Sequence, residues 1–313
     1  MINKALRIGR IIISLTVFTL LTAGLTIASA TIDPIAEWIG HIQLLPAVAT
    51  FSIGVFVAWL IITLIFGRIY CSTACPIGLV QDASSFLFHR RKIYRYRKPF
   101  SPLRYTVLAV TVGCLMIGLV ALPAFVDPYT LYLRLCSDCL VPAVDTLGLS
   151  SPASAPYDPI DTPLTRAMAG SALGIILTLM VMAVILLVSA RSGRLVCSTV
   201  CPVGTTLGFV SRFAIFQIDI DTDKCIQCRR CADVCKAECL DLNDHLVDGS
   251  RCVNCFDCIN VCPNDAIHYT TRRKQLSIPL MQSVKHINPE TEATLDTAAP
   301  ECDKASHHEN TPR

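Results

Sequence analysis

Four long apolar stretches occupy much of the first two thirds of the chain. They cover approximately residues 8–30, 45–66, 105–126 and 168–190, and none of them contains an acidic residue. Each is about 22 residues long, and a helix of that length rises about 1.5 Å per residue and crosses a hydrocarbon core of about 30 Å. Buried core helices of a soluble protein are the alternative, but such helices are rarely so long and so uniformly apolar. The pattern therefore predicts four transmembrane helices.

The composition agrees with this prediction. Hydrophobic residues make up 52% and charged residues 16% of the 313-residue chain. Soluble domains carry about 25% charged residues, so a wholly soluble protein is disfavoured.

The placement of Lys and Arg predicts the orientation in the membrane. The leader carries Lys4, Arg7 and Arg10, and the loop 67–104 carries eight basic residues against one acid, Asp82. The loop between the third and fourth stretches carries five acids, and the fourth stretch is followed by two arginines. Cytoplasmic loops are enriched in Lys and Arg. We therefore expect a multi-pass protein with both termini in the cytoplasm.

The first apolar stretch ends in Ala28-Ser29-Ala30, which resembles a signal-peptidase site. Its apolar region is longer than the about 7–15 residues of a signal peptide, which favours an uncleaved anchor. Cleavage after Ala30 is the alternative, and it leaves the orientation of the other stretches unchanged.

A twelve-residue motif occurs twice, at residues 67–78 (GRIYCSTACPIG) and 193–204 (GRLVCSTVCPVG), and eight of its twelve positions are identical. We call these copies the first and second motifs. Each follows the second apolar stretch of a pair, so the membrane part is predicted to consist of two parallel repeats. Each proline is predicted to open a new helix.

The motifs contribute four cysteines, Cys71, Cys75, Cys197 and Cys201. One interpretation is that they are small packing residues, since cysteine is often buried. The other is that the four thiols converge to bind a metal or a cluster, or to carry out redox chemistry. Their spacing does not decide between these interpretations.

Two further cysteine runs lie near the C-terminus. Both have the spacing C-x2-C-x2-C-x3-C, and they comprise Cys225, Cys228, Cys231 and Cys235 in the first run and Cys252, Cys255, Cys258 and Cys262 in the second. This is the bacterial ferredoxin spacing, which holds two 4Fe–4S clusters and in which the fourth cysteine of each run binds the other cluster. Zinc is the competing interpretation, because C-x2-C pairs also bind zinc.

The ferredoxin spacing assigns the ligands. Cluster 1 takes Cys225, Cys228, Cys231 and Cys262, and cluster 2 takes Cys252, Cys255, Cys258 and Cys235. The first run departs from the usual pattern, because Lys236 stands where proline is common. Cys239 follows nearby as an alternative ligand or a buried structural thiol.

The chain is thus predicted to have an all-α membrane domain and a small α+β ferredoxin domain. The membrane repeats cover 1–104 and 105–215, the ferredoxin domain covers 216–271, and 272–313 is a polar tail predicted to be disordered. Alternating residues predict strands at 217–221 and 266–269 and a hairpin near 240–247. A domain this small has little core, so bound clusters are expected to stabilise it.

Two other groups of residues are candidates for chemistry. Cys136 and Cys139 lie in the loop predicted to face the oxidising side, where a structural disulfide and a redox-active dithiol are equally compatible with the sequence. Glu37, His41 and Gln43 lie near the predicted outer ends of the first two spans, where the His or the Glu is a candidate proton acceptor for a quinol.

Together, the repeated motifs and the two cysteine runs resemble the NapH-type membrane ferredoxins over residues 1–270. The resemblance implies a quinol-oxidising subunit, rather than a stand-alone enzyme, in an electron route to a periplasmic nitrate reductase. It also implies location in the bacterial cytoplasmic membrane and a soluble ferredoxin-like or cytochrome partner. Related regulators of nitrous oxide reduction carry a periplasmic flavin-binding region, and related cytochrome oxidase assembly factors carry an extra β-domain. We expect neither here.

Two functions therefore follow from the sequence. The first is electron transfer between the quinol pool and a respiratory partner through two cytoplasmic 4Fe–4S clusters. The alternative is a redox maturation or regulatory factor for a metalloenzyme, which would act through its thiols and clusters. No phosphate-binding glycine loop and no nucleic-acid signature occurs in the sequence, so we expect no nucleic-acid partner.

Overall fold

A computed structural model of the chain describes residues 2–26, 38–43, 53–88, 94–117, 123, 126–146 and 171–271. All of these belong to one compact unit, Met1–Gln275. The tail predicted to be disordered and the alternative cleavage point after Ala30 lie outside the described residues.

Helices dominate the part of the chain that is predicted to lie in the membrane. They are α1 (Ile2–Thr26), α2 (Ile53–Phe66), α3 (Tyr70–Thr73), α4 (Pro76–Phe88), α5 (Ser101–Met116), α6 (Pro128–Leu135), a π-helix (Cys136–Leu140), α7 (Val141–Thr146), α8 (Ala172–Ser192), α9 (Leu195–Thr199) and α10 (Pro202–Ser211). Helices α4 and α10 begin at the prolines of the two motifs, which confirms the prediction that each proline opens a helix.

Two helices in the described residues are long and apolar enough to cross a membrane, at Ala5–Thr26 and Ala172–Ser192. Helices α2 and α5 are apolar but shorter, at 14 and 16 residues, and the remainder of the second and third predicted spans lies largely outside the described residues. The apolar face of α8 is open to the surroundings, since Leu173 is 70% and Leu187 is 66% exposed. A core helix of a soluble protein buries such side chains.

The two repeats are interlocked rather than side by side. Helix α8 of the second repeat packs against α4, which follows the first motif, while α2 of the first repeat packs against α10, which follows the second motif. The hydroxyl of Ser84 on α4 donates to the carbonyl oxygen of Leu186 on α8 at 3.2 Å. The second predicted span of each repeat therefore packs against the short helix that follows the motif of the other repeat.

Segments between the predicted spans fold back against the first motif. Gln43 is 1% exposed, and its Nε2 donates to the carbonyl oxygen of Ala74 at 3.3 Å. Helix α6 packs against α4 and α8, and its Tyr132 hydroxyl lies 2.6 Å from Thr22 Oγ1 on α1. The sequence placed Gln43 at the opposite end of the spans from the motif. That placement is wrong, because this neutral amide finds buried partners beside the motif.

Residues 217–270 form the small α+β part predicted from the sequence. Strand β1 (Gln217–Ile220) pairs antiparallel with β4 (Ile267–Thr270), and β2 (Leu240–Asp241) pairs with β3 (Leu246–Val247). Two short helices, α11 (Arg230–Asp233) and α12 (Asp257–Val261), follow the second cysteine of each run. The predicted strands and hairpin are thereby confirmed.

This part is docked on the C-terminal end of α2 and the start of α1. The amide of Asn254 and the hydroxyl of Tyr269 both donate to the carbonyl oxygen of Phe66. Arg7 pairs with Asp257 at 2.8 Å. Lys236 stands where proline is usual. Its Nζ lies 3.3 Å from Asp257 and 3.7 Å from Asp82 of α4, so it links the two parts.

Candidate redox site

The two motifs are connected by reciprocal arginines. Arg68 of the first motif donates to the carbonyl oxygen of Cys197 in the second at 3.3 Å. Arg194 of the second motif, which occupies the position equivalent to Arg68, donates to the carbonyl oxygen of Cys71 in the first at 2.6 Å. Both arginines are almost completely buried. A buried guanidinium needs acceptors, so each motif depends on the backbone of the other.

Each motif is also packed tightly within itself, at its final glycine. A Cβ on Gly78 would lie 2.5 Å from the carbonyl oxygen of Cys71, and a Cβ on Gly204 would lie even closer to that of Cys197. Real Cβ atoms do not approach backbone that closely. The final glycine of each motif is therefore required by the packing of its helix against the turn that holds the first cysteine.

The charge around the two arginines differs. Arg194 donates to both carboxylate oxygens of Asp82 at 2.8 Å, and Arg10 and Lys236 also lie near this carboxylate. Burial raises the pKa of Asp82, but Arg194 and the other two cations outweigh it and hold the pKa well below its usual value. Asp82 is thus a buried anion that neutralises the Arg194 side.

No carboxylate among the described residues pairs with Arg68. Its Nη1 donates to the carbonyl oxygen of Ser250 at 2.9 Å, and its Nη2 lies 3.6 Å from Cys71 Sγ. Position 208, which is equivalent to Asp82, is glycine, and Arg104 lies against it and donates to the same Ser250 carbonyl at 2.9 Å. Arg68 and Arg104 therefore bring two positive charges to the backbone at Ser250, two residues before Cys252 in the sequence. A negative charge is favoured close to these two cations.

The four motif cysteines all lie in the interior, and each is at most 8% exposed. Burial raises the pKa of Cys75 and Cys201 well above the usual value. Burial likewise raises the pKa of Cys197 to about 11, against the opposing effect of Arg194. Buried thiols with raised pKa values react poorly as nucleophiles, which disfavours thiol exchange at this site. A packing role and a bound metal or cluster both remain compatible with it.

The backbone bends in the same way at both ferredoxin runs. Positive φ angles occur at Gln227, Arg229 and Glu238, and again 27 residues later at Asn254, Phe256 and Asp265. Such angles are unfavourable for residues other than glycine and persist where the surroundings require them. The two runs therefore carry matching backbone strain between and after their cysteines, as expected of paired cluster-binding loops.

The cysteines predicted to hold cluster 1 share one small cavity. Cys225, Cys228, Cys231 and Cys262 all line it, together with apolar residues such as Ile220 and Ile267. Four thiols around an apolar cavity form a donor set that suits a 4Fe–4S cluster, because soft thiolates are its normal ligands. Burial raises the pKa of Cys231 to about 11, with the neighbouring Cys225 and Cys228 adding to the effect.

The cysteines predicted to hold cluster 2 are buried more deeply. Cys235, Cys252, Cys255 and Cys258 are 6–8% exposed. Cys239, the alternative ligand, is 2% exposed, and its Sγ lies 3.6 Å from Cys235 Sγ. The described residues contain no group of three or more His, Cys, Asp or Glu side chains placed to hold one metal ion. A four-iron cluster makes a different demand, since each thiolate binds a separate iron atom.

One predicted cluster ligand lies within the core formed by the N-terminal helices. Cys255 and Val253 pack in the same hydrophobic cluster as Cys71, Cys75 and Cys201. One predicted ligand of cluster 2 therefore shares a hydrophobic core with the motifs.

A large apolar cavity lies beside the second motif. Its volume is about 530 Å³, and it is lined by Cys197 and Cys201, by Ile77 and Gln81 of α4, by Pro128 and Leu131 of α6, and by the α8 face from Met180 to Val188. The thiol of Cys197 donates to Gln81 Oε1 at 2.9 Å. Gln81 Nε2 is buried and has no hydrogen-bond partner in the described part of the chain.

The remaining candidates are placed as follows. Cys136 and Cys139 are free thiols in the π-helix, with Cys136 completely buried and Cys139 half-buried, so they form no disulfide. His41 is exposed, and Glu37 lies outside the described residues.

Sequence reasoning missed Gln81 and Asp82 as site residues. The single acid in a loop with eight basic residues was the available signal for Asp82.

Comparison with known proteins places the motifs in a recognised context. A family described as "4Fe-4S binding domain" matches residues 48–95 and 175–218, which contain the first and second motifs rather than the ferredoxin runs. No solved structure matches the chain.

Two curated proteins are similar over most of the chain. The methylamine utilization ferredoxin-type protein MauN of Paracoccus denitrificans is 27% identical over 192 residues, which is 61% of this chain and 56% of MauN. The putative electron transport protein YccM of Escherichia coli is 26% identical over 197 residues, which is 61% of this chain and 47% of YccM. The chain thus spans about half the length of the curated relatives it matches.

These similarities relate the chain to 4Fe–4S binding domains and to ferredoxin-type proteins. They do not single out the NapH type. The chain is similar to ferredoxin-type electron-transport proteins.

Proposed function

We propose that this protein is a membrane-bound iron–sulfur subunit that passes electrons between the quinol pool and a respiratory reductase partner. Its two 4Fe–4S clusters would be held by Cys225, Cys228, Cys231 and Cys262 and by Cys252, Cys255, Cys258 and Cys235. When bound, each cluster accepts and releases one electron.

The packing of Cys255 carries the proposal. This predicted ligand of cluster 2 shares a hydrophobic core with three of the four motif cysteines and with α1 and α8, the two described helices that are long and apolar enough to cross a membrane. A soluble ferredoxin attached by a tether would not need such contact. Direct packing suits a protein in which electrons move between the membrane part and the clusters.

The open apolar surface of α8 supports a membrane location. Five large apolar residues along this helix are more than half exposed: Leu173, Ile176, Met180, Val184 and Leu187. Apolar surface of this extent is stable in lipid and unfavourable in water. The basic leader and loop support the cytoplasmic orientation of the termini and clusters.

Electron transfer is favoured over the alternative maturation function by the burial of Cys136. A maturation factor that worked through Cys136 and Cys139 would need both thiols to be reachable, and Cys136 is completely buried. The partner implied by the resemblance is a soluble ferredoxin-like or cytochrome subunit on the route to a periplasmic reductase.

Metal analysis and quinol titration of anaerobically purified protein test the proposal. We expect about eight irons per chain and an iron–sulfur electron paramagnetic resonance signal that a quinol analogue changes. Cys255→Ser should lose about half of the iron, since it removes a ligand of one cluster of the two. Cys114→Ser, a cysteine of α5 outside every motif, is the matched control and should keep it. Zinc in place of iron, or clusters that no quinol or partner ever reduces or oxidises, would contradict the proposal.

A further inference from the structure

We propose that the apolar cavity beside the second motif binds the ring of a quinol or quinone, with Gln81 at its polar end. The inference rests on the proposed function, because it names the place where that function meets its lipid-soluble redox partner. Nothing in the similarity to other proteins assigns this cavity.

The cavity has the size and the access that such a ligand needs. Its volume of about 530 Å³ lies within the range of about 300–1,000 Å³ that is typical of small-molecule sites. One wall is formed by α8, and the lining residues Met180 and Val184 are themselves 60% and 56% exposed. A ligand dissolved in the membrane can therefore reach the cavity along α8, and an isoprenoid tail can stay among the lipids.

Gln81, which lines the cavity, supplies the polar contact to the ligand. Gln81 is completely buried, and its Oε1 already accepts a hydrogen bond from Cys197, which fixes the orientation of the amide. Its Nε2 is then left with two N–H donors and no acceptor among the described residues. A buried donor without an acceptor is unfavourable. An oxygen of a quinol or quinone ring would supply the missing acceptor.

The corresponding region of the first repeat shows that this space is specific to the second. Trp59 and Tyr70 precede Ile185 and Val196 by the same 126 residues that separate the motifs. The rings of Trp59 and Tyr70 pack edge to face with their centroids 4.8 Å apart. Ile185 and Val196 are smaller, and both line the cavity.

The location also suits electron transfer. Cys197 and Cys201 line the cavity, and Cys201 belongs to the same hydrophobic core as Cys255 of the predicted cluster 2. A ring bound here would therefore contact cysteines of the second motif, and Cys201 connects it through the shared hydrophobic core to Cys255. A lipid acyl chain is the rival occupant, but it offers no acceptor to Gln81.

Binding of a fluorescent quinol analogue tests the inference without relying on turnover. The probe is 2-heptyl-4-hydroxyquinoline N-oxide, whose fluorescence is quenched on binding, titrated into the full-length protein in detergent. We expect saturable binding to the wild type. Gln81→Leu should raise the Kd about tenfold, the effect of losing one buried hydrogen bond.

A cavity-filling variant copies the first repeat into the second. Ile185→Trp combined with Val196→Tyr should abolish saturable binding. Leu187→Trp, which adds the same ring to a residue of α8 that is 66% exposed and does not line the cavity, is the matched control and should bind like the wild type. Iron content and melting temperature establish that each variant is folded.

The outcomes separate the inference from the proposed function. If the wild type binds and the folded cavity-filling variant binds equally well, the inference is overturned and the proposed function stands. If quinol analogues neither bind to the wild type nor change its iron–sulfur signal, the quinol part of the proposed function fails as well. Unchanged affinity in Gln81→Leu would overturn the role of the amide and indicate an acyl-chain site.

A photoreactive azidoquinone provides a test on the wild type, which is needed should the filled variant not fold. We expect it to label peptides that contain residues 180–188 and 195–201. Labelling confined to other peptides would overturn the inference.

Discussion

The first and second motifs share a backbone arrangement but differ in what surrounds it. In both, the arginine reaches across to the carbonyl of the other motif, and the last glycine lies against the first cysteine. Around Arg194, however, Asp82 cancels the charge, whereas Arg68 is joined by a second cation, Arg104. The duplicated backbone is thus constrained by mutual contacts, while the side chains around it have become specialised.

The two repeats also differ in how the space beside their motifs is filled. The first repeat is filled by the ring pair of Trp59 and Tyr70, and the second repeat has Ile185 and Val196 facing a cavity. The repeat that is filled by rings carries Arg68, which has no carboxylate partner among the described residues, and the repeat that borders the cavity carries Arg194, which is paired with Asp82. The difference suggests that the first repeat supports the structure and the second carries the chemistry. The predictions below test this division.

The largest expected effect comes from removing the neutralised arginine. Arg194→Met leaves the buried Asp82 without its bidentate partner and should destabilise the protein by about 3 kcal/mol, near the low end for a broken buried pair because Arg10 and Lys236 remain. Thermal unfolding in detergent measures it. Arg68→Met loses contacts to neutral carbonyls and to the Cys71 thiol but leaves no buried carboxylate unpaired, so it should cost less, about 2 kcal/mol. Equal losses would show that the two sides are not electrostatically different.

A smaller loss of stability is expected when the final glycine of a motif is replaced. Gly204→Ala forces a Cβ toward the Cys197 carbonyl and should destabilise the protein by about 2 kcal/mol through overpacking. Gly54→Ala is the control, since nothing lies within 4 Å of its Cβ position, and it should be neutral or slightly stabilising. Melting temperatures of the two variants compare them directly. A neutral Gly204→Ala would contradict the tight contact between motif and helix.

The packing of the first repeat can be tested by removing the hydroxyl oxygen of Tyr70. The hydroxyl of Tyr70 donates to Gln43 Oε1, and Tyr70→Phe leaves that buried acceptor unpaired. We expect a loss of about 1 kcal/mol, because the volume and the ring contact with Trp59 are kept. Binding of the quinol analogue should stay unchanged, since Tyr70 belongs to the first repeat. A change in affinity would contradict the assignment of binding to the second repeat.

The smallest expected effect concerns pH. Burial raises the pKa of Asp82, but its interaction with Arg194 and the other cations dominates and lowers it. A lowered pKa means that the stabilisation is complete above the unfolded value of about 3.9 and is lost only as the pH falls toward the folded value. The difference in melting temperature between wild type and Asp82→Asn should therefore be constant from pH 5 to 7. A difference that grows across this range would show that Asp82 titrates there.

The sequence predicted the elements that depend on local patterns. The prolines of the motifs open helices, and the strands at 217–220 and 267–270 pair, because proline geometry and alternation act over a few residues. The interlocking of the repeats was not predictable, since nothing local to Arg68 indicates an acceptor 129 residues away. The placement of Gln43 was wrong for a related reason. Hydropathy gives the length of a span but not the depth to which a connecting segment returns.

Gln81 was missed because a lone amide among apolar residues carries no recognisable signal. Gln81 becomes a candidate site residue only because the Cys197 thiol donates to it and because it lines the cavity beside the second motif. The spacing of the ferredoxin cysteines, in contrast, was informative in itself, because ligand chemistry requires it.

The reciprocal arginines also bear on how the chain is made. While the ribosome has synthesised only the first repeat, the guanidinium of Arg68 has no Cys197 carbonyl to receive it, and Cys71 has no Arg194. The nascent first half must therefore stay open, with a charge that cannot yet be buried, until more than a hundred further residues have emerged. Maturation of the first half is in this sense a late event in biogenesis, and it depends on insertion of the second.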